Sequence, residues 1–270
     1  MTATDRPERA ERGVREVKSA AYAVEILELL SSRQNRPARL REISEALEIP
    51  KSSCYALLRT LTQRGWVRRD ETGTLYGVGL RALMAGTSYL DADPHLRFVQ
   101  PWLDSLNEQL DETLHFGRLD GTDIVYLATR ESSQYLRVIN RVGRRLPAST
   151  TSLGKALLAH HMERDLDEHL LAPLPQLTAH TITDRERLME DLECTRDRGY
   201  ALDFEENTVG LKCFGFALRY SDPVVDAISC SVPIARLTEE RADEIVNVMR
   251  EAVAAIERQS PSNDPFNPTF

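Results

Sequence analysis

Apolar positions recur at helical spacing through the first third of the chain. Between Val17 and Ser32, Ala20, Ala23, Val24, Leu27 and Leu30 mark an amphipathic helix. Asn35-Arg36-Pro37 predicts a turn. Leu40, Ile43, Ala46 and Leu47 open a second helix, with Arg41, Glu42 and Glu45 between them. Glu48-Ile49-Pro50 interrupts it, because proline biases the residue before it out of the α region and suits the first turn of a new helix. That third helix, Lys51 to Arg64, places Cys54, Leu57, Leu58 and Leu61 on one face, and Gly65 stops it. Trp66 to Arg69 and Leu75 to Val78 predict a hairpin around Asp70–Thr74. Leu80 to Leu90 returns to helical spacing, broken at Asp91–Pro94.

The rhythm then changes. Leu96 to Leu110 predicts a helix, and Thr113 to Arg118 and Ile124 to Thr129 predict strands around Leu119–Thr122. Leu136 to Val142 predicts a further strand, Ser152 to Met162 a helix, and Arg185 to Arg198 a helix ended by Gly199. Lys212 to Arg219 and Val224 to Val232 predict strands on either side of Asp222-Pro223. Thr238 to Gln259 predicts a long helix, N-capped by Thr238 with Glu239 and Glu240 in its first turn. Strands distributed among helices give an α+β fold. The expected division is a disordered lead over 1–14, a winged helix-turn-helix over 15–80 and a linker helix over 81–94. A second domain follows over 95–259, with a flexible tail over 260–270.

Charge sharpens the division. The whole chain of 270 residues carries a net charge of −8, which is wrong for a nucleic-acid binder. Residues 15–82, however, hold 12 Lys and Arg against 8 Asp and Glu, a net of +4. Residues 83–270 hold 19 against 31, a net of −12. The basic excess sits on the predicted helix-turn-helix, where phosphates would be met. The four cysteines, Cys54, Cys194, Cys213 and Cys230, lie far apart with no CxxC pair. With no signal peptide and no eighteen-residue apolar run, the expectation is a reduced, cytoplasmic chain without disulfide, zinc site or membrane span.

The third helix presents small, hydroxyl and basic residues opposite its apolar stripe, as a helix in a DNA major groove requires. Candidate DNA contacts are Lys51, Ser52, Ser53, Tyr55 and Arg59, with Arg68 and Arg69 on the wing. Ser52 and Ser53 are open to two readings, phosphate contact in the first turn or simple capping. Farther on, Ser149, Thr150, Thr151 and Ser152 precede a helix, which suits either an anion or plain N-capping. Ser229 and Ser231, two apart on a strand, share a face that Cys230 does not.

Seven segments, in order, resemble the IclR-type bacterial transcriptional regulators. They are Lys18–Leu30 (KSAAYAVEILELL), Ile49–Leu58 (IPKSSCYALL), Arg64–Asp70 (RGWVRRD), Tyr76–Leu80 (YGVGL), Arg137–Ala159 (RVINRVGRRLPASTTSLGKALLA), Arg198–Cys213 (RGYALDFEENTVGLKC) and Ala227–Leu237 (AISCSVPIARL). The resemblance implies a winged helix-turn-helix, a linker helix and a C-terminal effector-binding domain of GAF-like fold. It also implies a homodimer or dimer of dimers on palindromic operator DNA, repression being the commoner family behaviour. The family's effector pocket maps onto Ser152, Leu153, Asp203, Cys213, Ser229 and Ser231, with apolar walls from Val138, Leu146 and Leu211. The family usually carries Arg where this chain has Ala56. Arg59, on the same face, would move the guanidinium one turn along the groove, to read bases or to touch phosphate.

The pocket's chemistry suggests a small carboxylic acid with hydroxyl groups, a sugar acid or a 2-oxo acid, with an aromatic acid as the alternative. The operon controlled would be catabolic. No HExxH, GxSxG or P-loop is present; His160 and His161 are adjacent but not at metal spacing and the other four histidines are scattered, so no catalytic residue, metal site or cofactor is expected. A redox sensor built on Cys54 would need an exposed, cation-flanked thiol, whereas Cys54 lies on the apolar face.

Overall fold

The computed structural model describes residues 16–33 and 36–260, with backbone alone at 163 and 164. The expected lead, the tail beyond Ser260 and Asn35 of the expected turn lie outside the described residues. The chain divides into two compact units, with the boundary between Ala92 and Asp93.

The first unit runs α1 (Lys18–Ser32), β1 (Ala38–Arg39), α2 (Leu40–Ala46), α3 (Lys51–Gln63), β2 (Val67–Arg69), β3 (Leu75–Val78) and α4 (Leu80–Ala92). The Glu42 carboxylate accepts the Arg39 amide at 2.6 Å, capping the start of α2. The α2–α3 turn closes where Ser44 Oγ donates to the Ile49 carbonyl at 2.6 Å. Cys54, Leu58 and Leu61 pack with Ile26, Ile43, Ile49, Val67 and Tyr76 in one core. The sheet has three strands, in the order β1-β3-β2, where the periodicity predicts two. β1 is only two residues long, too short to carry a period, and pairs Ala38 with Tyr76. Gly79 lets the hairpin return tightly, since a Cβ there would stand 2.3 Å from the Gly65 carbonyl oxygen. No side chain of α4 is buried; Leu80, Leu83, Met84 and Tyr89 are exposed.

The second unit runs α5 (Pro94–Leu110), β4 (Thr113–Asp120), β5 (Asp123–Arg130), β6 (Arg145–Pro147), α6 (Ser152–Leu158), α7 (Arg185–Arg198), β7 (Ala201–Phe204), β8 (Leu211–Leu218), β9 (Asp226–Pro233) and α8 (Glu239–Gln259). Its six strands form one antiparallel sheet, in the order β6-β5-β4-β9-β8-β7. α6 and α7 pack against one face, with a core that includes Leu153, Leu157, Leu188, Leu192 and Ala217. Leu114, Phe214 and Cys230 share one cross-strand row on the other, with α5 and α8 also packed on the sheet. Thr238 caps α8, accepting the Arg241 amide at 3.1 Å.

Three elements of the second unit differ from the sequence expectation. Leu136–Val142 is not a strand; the sheet takes Arg145–Pro147 instead. The preceding loop is held by side chains: the Asp111 carboxylate accepts the Ser133 amide at 2.8 Å, and Arg236 donates to the Leu136 carbonyl. The helix predicted to reach Met162 ends at Leu158. β7 lies in a segment without apolar alternation and follows Gly199, which takes a left-handed φ of 79°.

Candidate functional site

The outward face of α3 is polar and unobstructed. Lys51, Ser52, Ser53, Tyr55, Ala56 and Arg59 are exposed, and Cys54 and Leu58 behind them are buried. Thr60 is spent on its own helix, donating to the Ala56 carbonyl at 3.0 Å. Arg33 and Arg41 are paired with Glu42 and Glu45. Lys51, Arg59 and Arg68 have no carboxylate partner among the described residues, so their charge is available to phosphate or base. Arg69 is different: it donates to the Gly73 carbonyl and lies 5.5 Å over the Tyr76 ring, so it also shapes the wing turn. Asp70 finishes that turn, accepting the Thr74 and Leu75 amides at 2.8 Å.

The sheet face under α6 is polar as well as buried. Strand register aligns Asp203, Cys213, Ser231 and Thr113 in one cross-strand row. The next row toward α6 is Ala201, Gly215, Ser229, His115 and Thr129. Two glycines admit the helix: a Cβ at Gly215 would stand 2.1 Å from the Ser152 carbonyl oxygen, and one at Gly117 3.1 Å from Leu153 Cδ1. The rim is closed by the loop before β6, where Thr113 Oγ1 donates to the Val138 carbonyl at 3.2 Å and Arg144 reaches Asn140 at 3.2 Å.

Burial sets the protonation states here. His115 sits 3.1 Å from Thr129 Oγ1 and edge-to-face with Tyr126 at 5.0 Å. Burial, with Arg144 adding to it, pushes its pKa down to about 3, so the ring is neutral. Burial raises Asp203 to about 6, against the Asn207 and Glu206 amides that its carboxylate accepts. Cys213, Cys230 and Cys54 are all raised by burial, which leaves none of them poised as a thiolate. Lys155, a buried residue of α6, reaches Glu206 at 2.5 Å and Asp191 at 2.9 Å.

The helix-turn-helix segment and the sheet unit each match a family model. The IclR helix-turn-helix domain matches residues 19–71, and the bacterial transcriptional regulator IclR C-terminal domain matches residues 87–258. The chain belongs to the IclR family. It is 32% identical over 238 residues to the HTH-type transcriptional regulator KdgR of Escherichia coli K12, covering 86% of this chain and 90% of that one. A solved transcriptional regulator from Rhodococcus sp. RHA1 is 29% identical with a TM-score of 0.73, over 90% of this chain and 98% of that one. An IclR homologue from Microbacterium hydrocarbonoxydans, solved with 4-hydroxybenzoate, shares the fold at a TM-score of 0.71 and 23% identity, over 89% and 98% of the two chains. The matching families are regulatory, not catalytic. This IclR-family chain is a DNA-binding transcriptional regulator.

Of the residues that the family resemblance implied for the effector pocket, the sheet brings Asp203, Cys213, Ser231 and Ser229 onto one face. Ser152 overlies that face through its carbonyl, and Val138 reaches it through Thr113. Leu153 and Leu146 are packing residues, both within the α6 core. Leu211 lies at the end of β8 opposite Pro233, one alternate position beyond Cys213. The hydroxyl run is used largely in capping: Thr151 accepts the Gly154 amide at 3.0 Å. Sequence reading missed Thr113, His115, Tyr126 and Arg144. The signal was present in β4, where Thr113, His115 and Gly117 alternate with Leu114 and Phe116.

Proposed function

We propose that this regulator is a cytoplasmic repressor of a catabolic operon whose DNA affinity is set by a small organic acid on the α6 face of the sheet. The observation that supports this most strongly is the buried row Asp203–Cys213–Ser231–Thr113 with neutral His115 beside it. A buried polar surface of this kind is costly unless hydrogen-bonded. Hydroxyls, a neutral imidazole and Arg144 at the rim suit a carboxylate with polar substituents, a sugar acid or a 2-oxo acid. An aromatic acid is the second reading, favoured by the His115–Tyr126 ring pair and by the 4-hydroxybenzoate bound to the Microbacterium homologue.

On the DNA side, we assign contacts to Lys51, Ser52, Ser53, Tyr55, Arg59, Arg68 and Arg69. The partner is a palindromic operator met by a homodimer or dimer of dimers, with half-sites about 34 Å apart or a multiple of that. α4 supplies association surface, since Leu80, Leu83, Met84 and Tyr89 stand exposed on a helix with no buried side chain. No helix among the described residues is long and apolar enough to cross a membrane.

We assign the coupling path to β4. The strand carries Thr113 and His115 at one end and Arg118 at the other. Arg118 grips Asp226 of β9 at 2.6 Å and pairs with Asp93, the residue that follows α4 and caps α5. Thermal melting against a panel of organic acids tests the reading: an acid at 100 times its dissociation constant adds about 2.7 kcal/mol of stability. If no acid raises the melting temperature, the carboxylate effector is wrong.

A further inference from the structure

A cavity of about 230 Å³ opens at the far end of α6, lined by none of the polar residues of the proposed effector face. It exists because β7 stops short. β7 pairs β8 only as far as Ala201 with Gly215, which leaves Phe216 to Leu218 without a neighbour on that edge. Tyr200 stacks on Phe216 at 5.5 Å and walls one side. The floor is apolar and buried, formed by Ala156, Phe216, Ala217 and Val253.

The rim has the opposite character, carrying Arg196, Arg219 and Arg250. Arg219 is neutralised, gripping Glu257 with its Nε at 2.9 Å and an Nη at 3.0 Å. Arg196 and Arg250 have no carboxylate partner among the described residues. Each reaches only a main-chain carbonyl at 3.3 Å, Arg196 that of Ala159 and Arg250 that of Arg198. Arg250 also lies 6.0 Å over the Tyr200 ring, which steadies the guanidinium without discharging it. His160, beside them, is held below its ordinary pKa by burial and by Arg219 and Arg196, so it adds no charge at neutral pH. Residues 83–270 carry 31 acidic against 19 basic side chains, yet these two guanidiniums stand unneutralised over an apolar hollow.

We propose that this cavity binds a small organic anion, its carboxylate held by Arg196 and Arg250 and its flat or branched apolar body seated on Phe216 and Val253. Guanidinium groups match the planar, two-oxygen geometry of a carboxylate. The volume lies below the range usual for drug-sized ligands, which limits the occupant to a small metabolite. A bare inorganic anion would satisfy the rim and leave the floor wet. The site meets α6 at Ala156, whereas the effector face meets it at Ser152, so the two are separable by mutation.

The test is fluorine NMR of 4-fluorobenzoate titrated into the full chain, beside the double variant Arg196→Gln/Arg250→Gln and the cavity-filling variant Ala254→Trp, Ala254 being another lining residue. Expected is a saturable component weakened at least tenfold in both variants; the double variant changes only exposed side chains and keeps the fold. A component that survives both belongs to the effector face, and the proposal then stands on the component that is lost. Binding unchanged in both variants, or absent from the unmodified chain, overturns it. Inorganic phosphate binding as tightly as 4-fluorobenzoate also overturns it, because the apolar floor would then contribute nothing.

Discussion

Gly215 on β8 lies so close beneath Ser152 that a Cβ would stand 2.1 Å from the serine's carbonyl oxygen. The proposed effector face therefore depends on a missing side chain: α6 seats on the sheet only because β8 offers no Cβ there. Gly215→Ala should cost about 1–3 kcal/mol, the usual penalty of overpacking. Urea unfolding would show it as a lower midpoint. Gly86→Ala, in open space on α4, should leave stability unchanged or raise it by up to about 1 kcal/mol. Equal effects at the two positions would contradict close seating.

Arg59 is exposed on α3 with no carboxylate partner among the described residues, one turn beyond Ala56. Arg59→Ala should weaken operator binding at particular base pairs, by about 1–3 kcal/mol for a good bidentate contact. Competition between operator variants reads this directly. A uniform loss over all sequences would make Arg59 a phosphate contact, and no loss would remove it from the interface.

His115 makes the fold acid-sensitive in a definite direction. Its folded pKa is about 3 against an ordinary 6.5, so between those values the unfolded chain takes the proton and stability falls as pH falls. Asp203, raised to about 6, acts in the opposite sense: the folded chain holds its proton, and that contribution is lost as pH rises through 6. Comparison with His115→Gln isolates the histidine. From pH 6 to 4 the wild type should lose up to about 1.4 kcal/mol per pH unit relative to the variant. A gap that does not move with pH would show that His115 is not held neutral.

How much of this was legible in the sequence depended on periodicity. The helix-turn-helix was, because Cys54, Leu58 and Leu61 repeat on one face of a thirteen-residue helix. β1 and β7 were not, being two and four residues long and defined by their partners, not by their own pattern. The Val-Ile-Val spacing over 138–142 imitates a strand, but side-chain hydrogen bonds hold that loop outside the sheet. His115 was passed over among scattered histidines because its significance lies in register, opposite Ser229 and Thr129. The cavity at the far end of α6 had no signal at all: Arg196, Arg219 and Arg250 meet only when β7 stops short of Phe216.

α4 bears on assembly. Leu83 and Met84 are 62% and 53% exposed, so a charge at either costs the isolated chain little. Leu83→Glu with Met84→Glu should shift sedimentation toward monomer and weaken operator binding, while the melting of isolated monomer stays within about 0.5 kcal/mol. Association unaffected by both charges would place the interface elsewhere.

In the proposed mechanism an acid bound on the sheet changes what α3 does to DNA. The direct measurement is fluorescence anisotropy of an operator duplex selected by this chain, with and without a saturating acid identified by thermal melting. The predicted result is a change in DNA affinity of about fivefold or more, the scale of ordinary coupling between sites. An acid that raises the melting temperature yet leaves DNA affinity unchanged would show that the sheet site does not control α3.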